Sequence, residues 1–501
     1  MRVIVVGGGT GGATFAGTLA GSGRHDVVLV EAGADFGPFA GHNWPFELLD
    51  SRHIPDTCDW GLFNEDVAGG RTYALPRAKV MGGCSSHNGC SSVRGTRWDF
   101  DRWASEVDAF WRADSLIEDF AAVEAALNVH GYGPDDTTPF QQAFFQAALQ
   151  AGLPASRDMN DLDEGPGASL CPVNKRGGIR WNAAFAFVDP VRGRDNFSIV
   201  DHLEVDAVVF DGDRACGISG RRLGKPVEIA GDVVVLAAGA YGTPELLMRS
   251  GVGAGARLAA AGIRPRHELP GVGENLQDHP SAVLLYRATE RLIDAMVAYE
   301  KQRMAFDEAV IVKLQSPFAD GPLDIHVFAN GGRRPQPAGW GWEIWCGLLS
   351  PRSRGRILPS AGEGGPTFRI QHNHFTDPEG NDLRAVLWSI DRARAFMATD
   401  AMKPYFERET EPGADRTGEA LGDWARAHHT NYFHPAGTCA MGRGAAAVTD
   451  GLGRVHGLKG LMVADAALMP WITSGNTNIP VAAMAHRLAR HFDLIQQHPR
   501  G

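Results

Sequence analysis

The sequence predicts an α/β protein with a parallel sheet and more than one domain. A chain of 501 residues exceeds the ~250–300 residues at which a single hydrophobic core stops growing. Two short β-rich runs, residues 3–6 and 27–30, flank a helix-compatible segment at 13–19, which is the order of a βαβ unit. A third run within residues 231–239 is continuous and apolar, as expected of a buried parallel strand.

Composition and charge are those of a globular protein, with 44% hydrophobic and 21% charged residues. The formal net charge of −11 argues against nucleic-acid binding, which needs a basic surface. No run of about 18 uncharged apolar residues occurs, so we expect no membrane span. The glycines after residues 3–6 interrupt the apolar run too early for the hydrophobic region of a secretion signal. The seven cysteines contain no C-x-x-C pair. We therefore expect a cytoplasmic protein with reduced thiols.

The first β run ends in a glycine-rich loop with the pattern G-x-G-x-x-G. Gly7, Gly9 and Gly12 occupy the glycine positions, and Thr10 lies between the last two. Glycine lets the backbone approach a pyrophosphate, whose charge is favoured at the N-terminus of the following helix. Glu31 ends the second β run, 19 residues after Gly12, where a carboxylate can accept ribose hydroxyls. The loop predicts dinucleotide binding without distinguishing NAD from FAD.

A second glycine-containing segment, residues 77–90, contains Gly-Gly-Cys-Ser-Ser-His-Asn. It resembles the first signature of the glucose-methanol-choline (GMC) oxidoreductases, whose loop lies along the flavin. Other stretches follow the pattern of the same family in the same order, namely residues 239–253, 270–280, 463–466 and 473–478. Residues of about 285–345 resemble the family only loosely.

The resemblance implies FAD as the cofactor and a fold with two parts. A Rossmann-like FAD-binding domain would be discontinuous, and a substrate-binding α+β domain would be built on an antiparallel sheet. The FAD-binding domain would comprise residues 1–149, 188–282 and 434–501, and the substrate-binding domain residues 150–187 and 283–433. Apolar and basic residues alternate at helical spacing over 481–494, and this helix should pack on the FAD-binding domain.

Carried over residue by residue, the resemblance implies a set of FAD contacts: Gly7, Gly9, Thr10, Gly12, Glu31, Ala78, Gly82, Gly83, Ser86, His87, Asn88, Val205, Asp465, Asn476 and Asn478. The string around His87 most resembles the choline-oxidising members, in which this histidine is bonded covalently to the flavin. Neutral imidazole is a nucleophile, and a loop pinned by Gly82 and Gly83 could hold it against the flavin edge. The alternative is that His87 only hydrogen-bonds FAD or a backbone carbonyl.

Residues 428–438 resemble the stretch that carries the family's active-site histidine just before Pro-x-Gly-Thr, which corresponds to His434. Its partner corresponds to Asn476, with Asn478 two residues away. The implied reaction is oxidation of an alcohol to an aldehyde or ketone by hydride transfer to flavin N5. A histidine can take the hydroxyl proton, and an amide can donate a hydrogen bond to the same oxygen.

The substrate pocket is predicted less sharply. Tyr432 and Phe433 adjoin His434, and Trp471 lies five residues before Asn476, so these side chains are candidate walls. Ile311 occupies the position at which choline-specific members carry a carboxylate for the trimethylammonium group. Its apolar side chain favours a neutral or aromatic alcohol over choline, although Glu308 lies close in sequence.

Two further signals are interpreted as structural. Trp340, Trp342 and Trp345 are assigned to packing, since alternation on a half-buried strand explains the first two. His372 and His374 could place two imidazoles on one strand face, but no third ligand is evident nearby, so we expect no metal.

Several alternatives stay open at this stage. A GMC-fold lyase or another non-redox flavoprotein would share the signatures, whereas an NAD-dependent dehydrogenase would share only the first loop. Tyr432 and Gly89 replace other residues of the choline-oxidising members, so the electron acceptor is either O2 or another molecule. The partners expected are therefore a small-molecule alcohol and an electron acceptor, with the oligomeric state undetermined.

Overall fold

The protein folds around two large hydrophobic cores, one at a parallel sheet and one at an antiparallel sheet, and a smaller cluster that includes Cys90, Ile311 and Phe328. The computed structural model describes residues 1–52, 54–65, 72–306, 308–333 and 340–497. Residues from both sheets line one cavity. This architecture confirms the predicted fold class, a Rossmann-like domain combined with an antiparallel-sheet domain.

The parallel sheet has five strands in the described part of the chain. Their spatial order is Leu461–Val463, Val233–Leu236, Arg2–Val6, Asp26–Val30 and Phe197–Val200. The central strands are valine-rich and almost fully buried, as in sheets that are covered on both faces. Because the strands are parallel, their carboxyl ends meet at one edge, where Gly7, Glu31 and Asp465 lie close behind their strands.

Helix Thr10–Gly21 connects the first two strands and packs against helix Asn478–Arg490. The latter also contacts helix Ala113–Ala126, where the buried Asp119 carboxylate pairs with Arg487 at 3.0 Å. The predicted C-terminal helix over 481–494 is divided at His491, after which a second helix, Phe492–Gln497, begins.

The antiparallel sheet presents alternate residues to two different environments. Its strand order is Phe406–Glu411, Pro280–Ala288, Trp340–Leu348, Ile325–Arg333, Val310–Leu314 and Gly167–Leu170, with Thr430–Asn431 beside Pro280–Ala288. One set of residues, including Val312, Val327 and Ile344, packs into the second core. Helices on that side are Pro139–Gln150, Glu290–Glu300, Asn381–Met397 and Gly418–His428. The intervening residues face the cavity.

Smaller elements complete the fold. The four-stranded sheet Arg356–Ser360, Thr367–Gln371, Leu62–Glu65 and Thr72–Leu75 contributes Leu62, Ile357 and Phe368 to the cavity wall. The other strands are Leu203–Asp211, Arg214–Arg222, Lys225–Ala230, Val129–Gly131, Pro172–Arg176, Ile179–Arg180, Val252–Gly253 and His267–Glu268. The other α-helices are Phe46–Leu49, Arg97–Glu106, Gly239–Arg249 and Gly255–Ala260.

The exact domain boundaries stay a prediction, and packing suggests where they run. Helix Pro139–Gln150 contributes Phe144 to the second core, although the predicted boundary follows residue 149. Phe185 packs in the first core, although residues 150–187 were assigned to the substrate-binding domain. Among the described residues, every helix is too short or too polar to cross a membrane.

Candidate active site

A cavity of about 440 Å³ extends from the glycine loop to His434 and Asn476. Most of the predicted site residues line it: Gly7, Gly9, Thr10, Glu31, Ala78, Gly83, His87, Asn88, Val205, Ile311, Tyr432, Phe433, His434, Asp465, Asn476 and Asn478. Four predicted residues lie outside this lining: Gly12, Gly82, Ser86 and Trp471. The structure thus brings together residues from the two ends of the sequence.

The glycine loop is folded so tightly that side chains would collide with backbone. A Cβ at Gly12 would lie 1.8 Å from the carbonyl oxygen of Gly7, and Gly7 itself has φ +102°. Helix Thr10–Gly21 begins immediately after Gly9, without a side chain that caps its first turn. Its first N–H groups have no acceptor within the helix, and they form the positive end of the helix dipole. This geometry suits a pyrophosphate. Gly12 lies outside the cavity lining and contributes by allowing the close packing against Gly7.

Glu31 is held rigidly at the end of its strand. Its Oε2 accepts a hydrogen bond from the Gly8 N–H at 2.7 Å, and its Oε1 accepts one from the Gly33 N–H at 2.8 Å. Burial raises the pKa of Glu31 to about 7, although both backbone bonds act in the opposite direction. Because the carboxyl also lines the cavity, its remaining lone pairs can accept ribose hydroxyls.

Two other predicted contacts close the nucleotide end of the cavity. Asp465 Oδ2 accepts hydrogen bonds from the Gly239 N–H at 2.8 Å and from the Thr243 hydroxyl at 2.6 Å. Asp465 therefore joins the last strand to the start of helix Gly239–Arg249. The Thr10 hydroxyl donates to Asn478 Oδ1 at 2.7 Å, which leaves Asn478 Nδ2 buried and without an acceptor among the described residues. This amide can donate to a ligand.

The second glycine segment is pinned against the first. Gly82 and Gly83 both have positive φ, and a Cβ at Gly83 would lie 2.6 Å from the Cα of Gly9. The Gly82 N–H donates to the Gly8 carbonyl at 2.8 Å, while the Ser86 hydroxyl donates to the Met81 carbonyl at 3.0 Å. Gly82 and Ser86 therefore shape the loop from outside the cavity, and His87 reaches the cavity.

Cys84 is a cavity residue that sequence reasoning did not single out. Burial raises the pKa of its thiol, but the charge of Arg77 and the neighbouring His87 outweigh burial and lower it to about 6. The loop thus places a thiol of lowered pKa beside the imidazole that was predicted to attach the flavin. The position of Cys84 three residues before His87 was the available sequence signal.

The side chains of His434 and Asn476 meet at the opposite end of the cavity. Asn476 Nδ2 lies 3.4 Å from His434 Nε2. Both side chains line the cavity, although 42 residues separate them in sequence. An amide donor and an imidazole nitrogen thus face the same space.

His279 determines which nitrogen of His434 carries the hydrogen. His279 Nε2 lies 3.1 Å from the Thr473 carbonyl oxygen and must donate to it. Burial lowers the pKa of His279 to about 3, so the ring is neutral and its Nδ1 is an acceptor. His434 Nδ1 lies 3.0 Å from that nitrogen and therefore donates. The Nε2 of His434 is left with a lone pair that faces Asn476.

The pKa of His434 lies well below the usual histidine value. Burial is the main cause, and the neighbouring His279 ring and the Arg77 guanidinium lower the pKa further. His434 is therefore an uncharged base at neutral pH.

Asp278 fixes the backbone of both histidines. Its Oδ1 accepts hydrogen bonds from the N–H groups of His279 and His434, each at 2.8 Å. Its Oδ2 accepts from Asn431 Nδ2 at 3.0 Å. Burial raises the pKa of Asp278 to about 7. The sequence placed Asp278 and His279 in a stretch that resembles the family, but their role depends on contacts across about 155 residues.

Arg77 holds the backbone next to the candidate base. Its guanidinium donates to the Phe433 carbonyl at 2.8 Å. Phe433 has φ +60°, a left-handed conformation that is uncommon for a bulky residue. The hydrogen bond stabilises this backbone conformation. In this conformation Phe433 and His434 both line the cavity.

An aromatic wall, formed by Phe328, Trp345 and Tyr432, lines the cavity beside His434. Phe328 and Trp345 stack with 5.6 Å between ring centroids, and Tyr432 lies 5.5 Å from Phe328 and 5.8 Å from His434. A Cβ at Gly347 would lie 2.2 Å from the Tyr432 ring, so this glycine makes room for it.

The predictions for tryptophan need two corrections. Trp340 and Trp342 stack on each other as packing residues, but Trp345 belongs to the cavity wall because it lies on the other strand face. Trp471 lies outside the cavity lining. Its ring packs on the Arg102 guanidinium, whose centre is 3.5 Å from the ring centroid, and its N–H donates to Glu106 at 2.6 Å. The charged side chains of Arg102 and Glu106 therefore hold the Trp471 ring outside the cavity.

His372 and His374 lie just beyond their strand, with 5.1 Å between ring centroids. His372 Nε2 is hydrogen-bonded to the Tyr241 hydroxyl at 2.8 Å. Across the ranges that the structure describes, no group of three or more His, Cys, Asp or Glu side chains is arranged to hold a metal ion.

Two sequence profiles of the GMC oxidoreductase family match this chain, one over residues 1–281 and one over residues 351–485. Choline oxidase from Arthrobacter globiformis is 32% identical, over 98% of this chain and 94% of that protein. An alcohol dehydrogenase [acceptor] from Pseudomonas putida is 30% identical, over 97% of this chain and 94% of that protein. The crystal structure of pyridoxine 4-oxidase from Mesorbium loti matches with a TM-score of 0.88 and 26% identity, over the full length of both chains.

Proposed function

We propose, from the fact that the chain belongs to the GMC oxidoreductase family, that it binds FAD and oxidises an alcohol to an aldehyde or ketone. The observation that carries this proposal is the pair His434 and Asn476. An unprotonated Nε2 and an amide donor face one cavity, which also contains the dinucleotide-type glycine loop.

The residues present fit FAD. Glu31 would accept the ribose hydroxyls, the start of helix Thr10–Gly21 would bind the pyrophosphate, and the unpartnered Nδ2 of Asn478 would donate to the cofactor. The loop around Gly83 and His87 would lie along the ring system. When bound, the flavin supplies the acceptor for the hydride that leaves the carbinol carbon.

The chain's own contribution is to activate and hold the alcohol. His434 Nε2 accepts the hydroxyl proton, while Nδ1–H remains bonded to His279. Asn476 Nδ2 donates a hydrogen bond to the substrate oxygen as negative charge develops there. The buried walls exclude water, which strengthens both interactions.

The alcohol proposed is aromatic rather than choline. Ile311 is buried in the cavity wall and pairs with Phe328 across adjacent strands, so the choline-type carboxylate is absent at this position. The aromatic wall offers flat surfaces for ring stacking. Efficient turnover of choline, measured beside benzyl alcohol with the purified enzyme, would overturn this choice.

Anaerobic mixing with alcohols tests the proposed reaction. We expect substrate-dependent bleaching of the visible flavin absorbance, and His434→Ala should slow it by ~10²- to 10⁴-fold, the usual contribution of a general base. Flavin content measures whether the variant still binds its cofactor. Product formation without bleaching would instead favour a GMC-fold lyase.

The electron acceptor requires a separate measurement. Reduced enzyme is mixed with air-saturated buffer in a stopped-flow instrument. Rapid return of the flavin absorbance identifies an oxidase, whereas slow return that a dye accelerates identifies a dehydrogenase.

We also propose that His87 attaches the flavin covalently. The imidazole lines the cavity on the pinned loop, beside the Cys84 thiol. After acid precipitation, wild-type protein should keep its yellow colour in the pellet, and His87→Ala should release it. Cys84→Ser is the matched control; if it alone released the flavin, the attachment would lie at Cys84.

A further inference from the structure

Asp99 is a buried carboxylate that lies outside the cavity lining. It is 2% exposed and belongs to the first turn of helix Arg97–Glu106. Burial raises the pKa of Asp99, and hydrogen bonds from Thr96 and Ser474 act in the opposite direction. Across the described ranges, no lysine, arginine or histidine forms an ion pair with Asp99, so these hydrogen bonds are what stabilises its charge.

The carboxylate connects two distant segments of the chain. Asp99 Oδ2 accepts hydrogen bonds from the Thr96 N–H at 2.8 Å and from the Thr96 hydroxyl at 3.0 Å, as part of the capping box of the helix. The same oxygen accepts a bond from the Ser474 N–H at 3.0 Å, and Oδ1 accepts one from the Ser474 hydroxyl at 2.9 Å. The helix cap requires only the bonds to Thr96. The bonds to Ser474 span 375 residues and need another explanation.

The two segments pack against each other with glycine on both sides. A Cβ at Gly95 would lie 2.9 Å from Asp99 Oδ2, and one at Gly475 would lie 3.0 Å from the Gly95 nitrogen. Gly95 also has φ +94°, which favours glycine. This close approach brings the Asp99 carboxylate against the backbone of residues 473–475.

The Ser474 N–H and the Thr473 carbonyl belong to the same peptide group. This peptide is trans and planar, so its N–H and C=O point in opposite directions. By accepting from the N–H, Asp99 therefore fixes the direction of the Thr473 carbonyl, whose oxygen lies 3.1 Å from His279 Nε2. Asp99 and His279 thus hold opposite edges of one peptide plane.

The orientation of this peptide affects both members of the candidate catalytic pair. Because the Thr473 carbonyl accepts the Nε2 hydrogen of His279, the Nδ1 of His279 can accept from His434. If the peptide turned, His279 could carry its hydrogen on Nδ1, and His434 would then hold its own hydrogen on Nε2 and lose the lone pair there. Asn476 lies two residues after Ser474, so the same bonds restrain its backbone.

We propose that Asp99 is a positioning residue of the active site, which fixes the Thr473–Ser474 peptide and thereby the tautomers of His279 and His434. The carboxylate acts through this peptide, since it lies outside the cavity that would hold cofactor and substrate. The proposal rests on the proposed role of His434 as the base. It extends the hydrogen-bond chain behind that base to a residue near the N-terminal end of the sequence.

NMR of protein with isotopically labelled histidine nitrogens reports the tautomers directly and needs no substrate. The signals are assigned by their loss in His279→Asn and His434→Asn. In wild type we expect hydrogen on Nε2 of His279 and on Nδ1 of His434. In Asp99→Ala the signals should shift toward a mixture of tautomers, because the peptide is free to turn. A mixture in wild type, or unchanged single tautomers in Asp99→Ala, overturns the proposal.

The limiting rate of anaerobic flavin reduction should change in parallel. With an alcohol that the wild type oxidises, such as benzyl alcohol, we expect Asp99→Ala to be slower by up to about 10²-fold, as for a small misplacement of a reacting group. Asp99→Asn should recover most of the rate. Its oxygen can accept from both N–H groups, and its amide can donate to the Ser474 hydroxyl, which lies 3.2 Å from the Ser350 hydroxyl as its own acceptor. Equal losses in the two variants contradict positioning through these hydrogen bonds.

Thr96→Val is the matched control. It removes the hydroxyl that donates to Asp99 at the start of the helix but leaves the bonds to Ser474 in place. Thr96→Val and Asp99→Ala should both lower the Tm, whereas only Asp99→Ala should mix the tautomers and slow flavin reduction. Equal mixing in Thr96→Val would assign the effect to the helix and would overturn the role of Asp99.

Asp99→Gln takes the place of Asp99→Ala if the latter does not fold. Glutamine is a usual residue at the third position of a capping box, so the helix start is retained. The added methylene group displaces the polar end of the side chain from Ser474, and the tautomers should again mix. Single tautomers in folded Asp99→Gln would refute the proposal.

The outcomes separate this proposal from the underlying reaction. If no alcohol bleaches the wild-type flavin but the histidines respond to Asp99 as expected, the proposed oxidation fails and the positioning role holds. If alcohols bleach the flavin and Asp99→Ala keeps the wild-type tautomers and rate, only the role of Asp99 fails.

Discussion

At the residue scale, the proposed reactivity of His434 depends on a hydrogen-bond chain from the Thr473 carbonyl through His279 to His434. This chain selects one tautomer of an uncharged base. The resemblance of residues 428–438 and 473–478 to the family's motifs identified His434 and Asn476 as candidates, and a histidine and an amide suit alcohol oxidation. The role of His279 was not predictable, since it follows from a contact between segments that are 155 residues apart.

Replacing His279 should slow the reaction without removing the flavin. His279→Ala takes away the acceptor for His434 Nδ1–H, and we expect roughly 10- to 100-fold slower anaerobic flavin reduction, as when other oriented histidines lose their partner. His279→Asn places an oxygen acceptor near the position of Nδ1 and should recover part of the rate. Equal loss in both variants would indicate only a structural role. His130→Ala, on the surface, serves as the control.

The rate of flavin reduction should withstand acidification to the ordinary pKa of histidine. Burial, with help from His279 and Arg77, lowers the pKa of His434, so its neutral basic form persists as pH falls. A pH profile of the reduction rate should therefore keep its plateau down to about pH 6.5 and decline only in more acidic buffer. A decline centred above that value would contradict the assignment of His434 as a neutral base.

At the element scale, the glycine loop and its helix were predictable because their requirements are local. The spacing of the glycines and the acid at Glu31 reflects backbone geometry that only a few residue types permit. Strand faces were harder to predict. Alternation alone does not tell which face meets a helix and which meets a cavity, so Trp345 was assigned to packing.

Two alanine substitutions within one helix should have opposite consequences. Gly12→Ala would place a Cβ 1.8 Å from the Gly7 carbonyl oxygen, so the loop must shift. We expect lower flavin content and a lower Tm. In Gly21→Ala the new Cβ meets nothing within 4 Å, and alanine favours the helix by up to ~1 kcal/mol. Comparable flavin loss in both variants, measured by absorbance and thermal unfolding, would argue against the tight loop as the cause.

At the scale of the whole molecule, one cavity draws residues from both large sheets, so cofactor binding should stabilise the protein as a unit. His87→Ala, prepared without flavin, should gain about 2.7 kcal/mol when free FAD reaches 100 times its Kd. FMN lacks the adenosine ribose that Glu31 would hold, so it should raise the Tm less. Equal shifts with FAD and FMN would contradict the nucleotide site at Glu31.

The antiparallel sheet has a consequence for divergence among relatives. Core residues such as Val312 and Val327 alternate with cavity residues such as Ile311 and Phe328 on the same strands. Evolution can therefore exchange every second side chain and acquire a new substrate, while the intervening residues preserve the scaffold. Laboratory libraries confined to those cavity-facing positions should yield many folded enzymes with altered substrate preference.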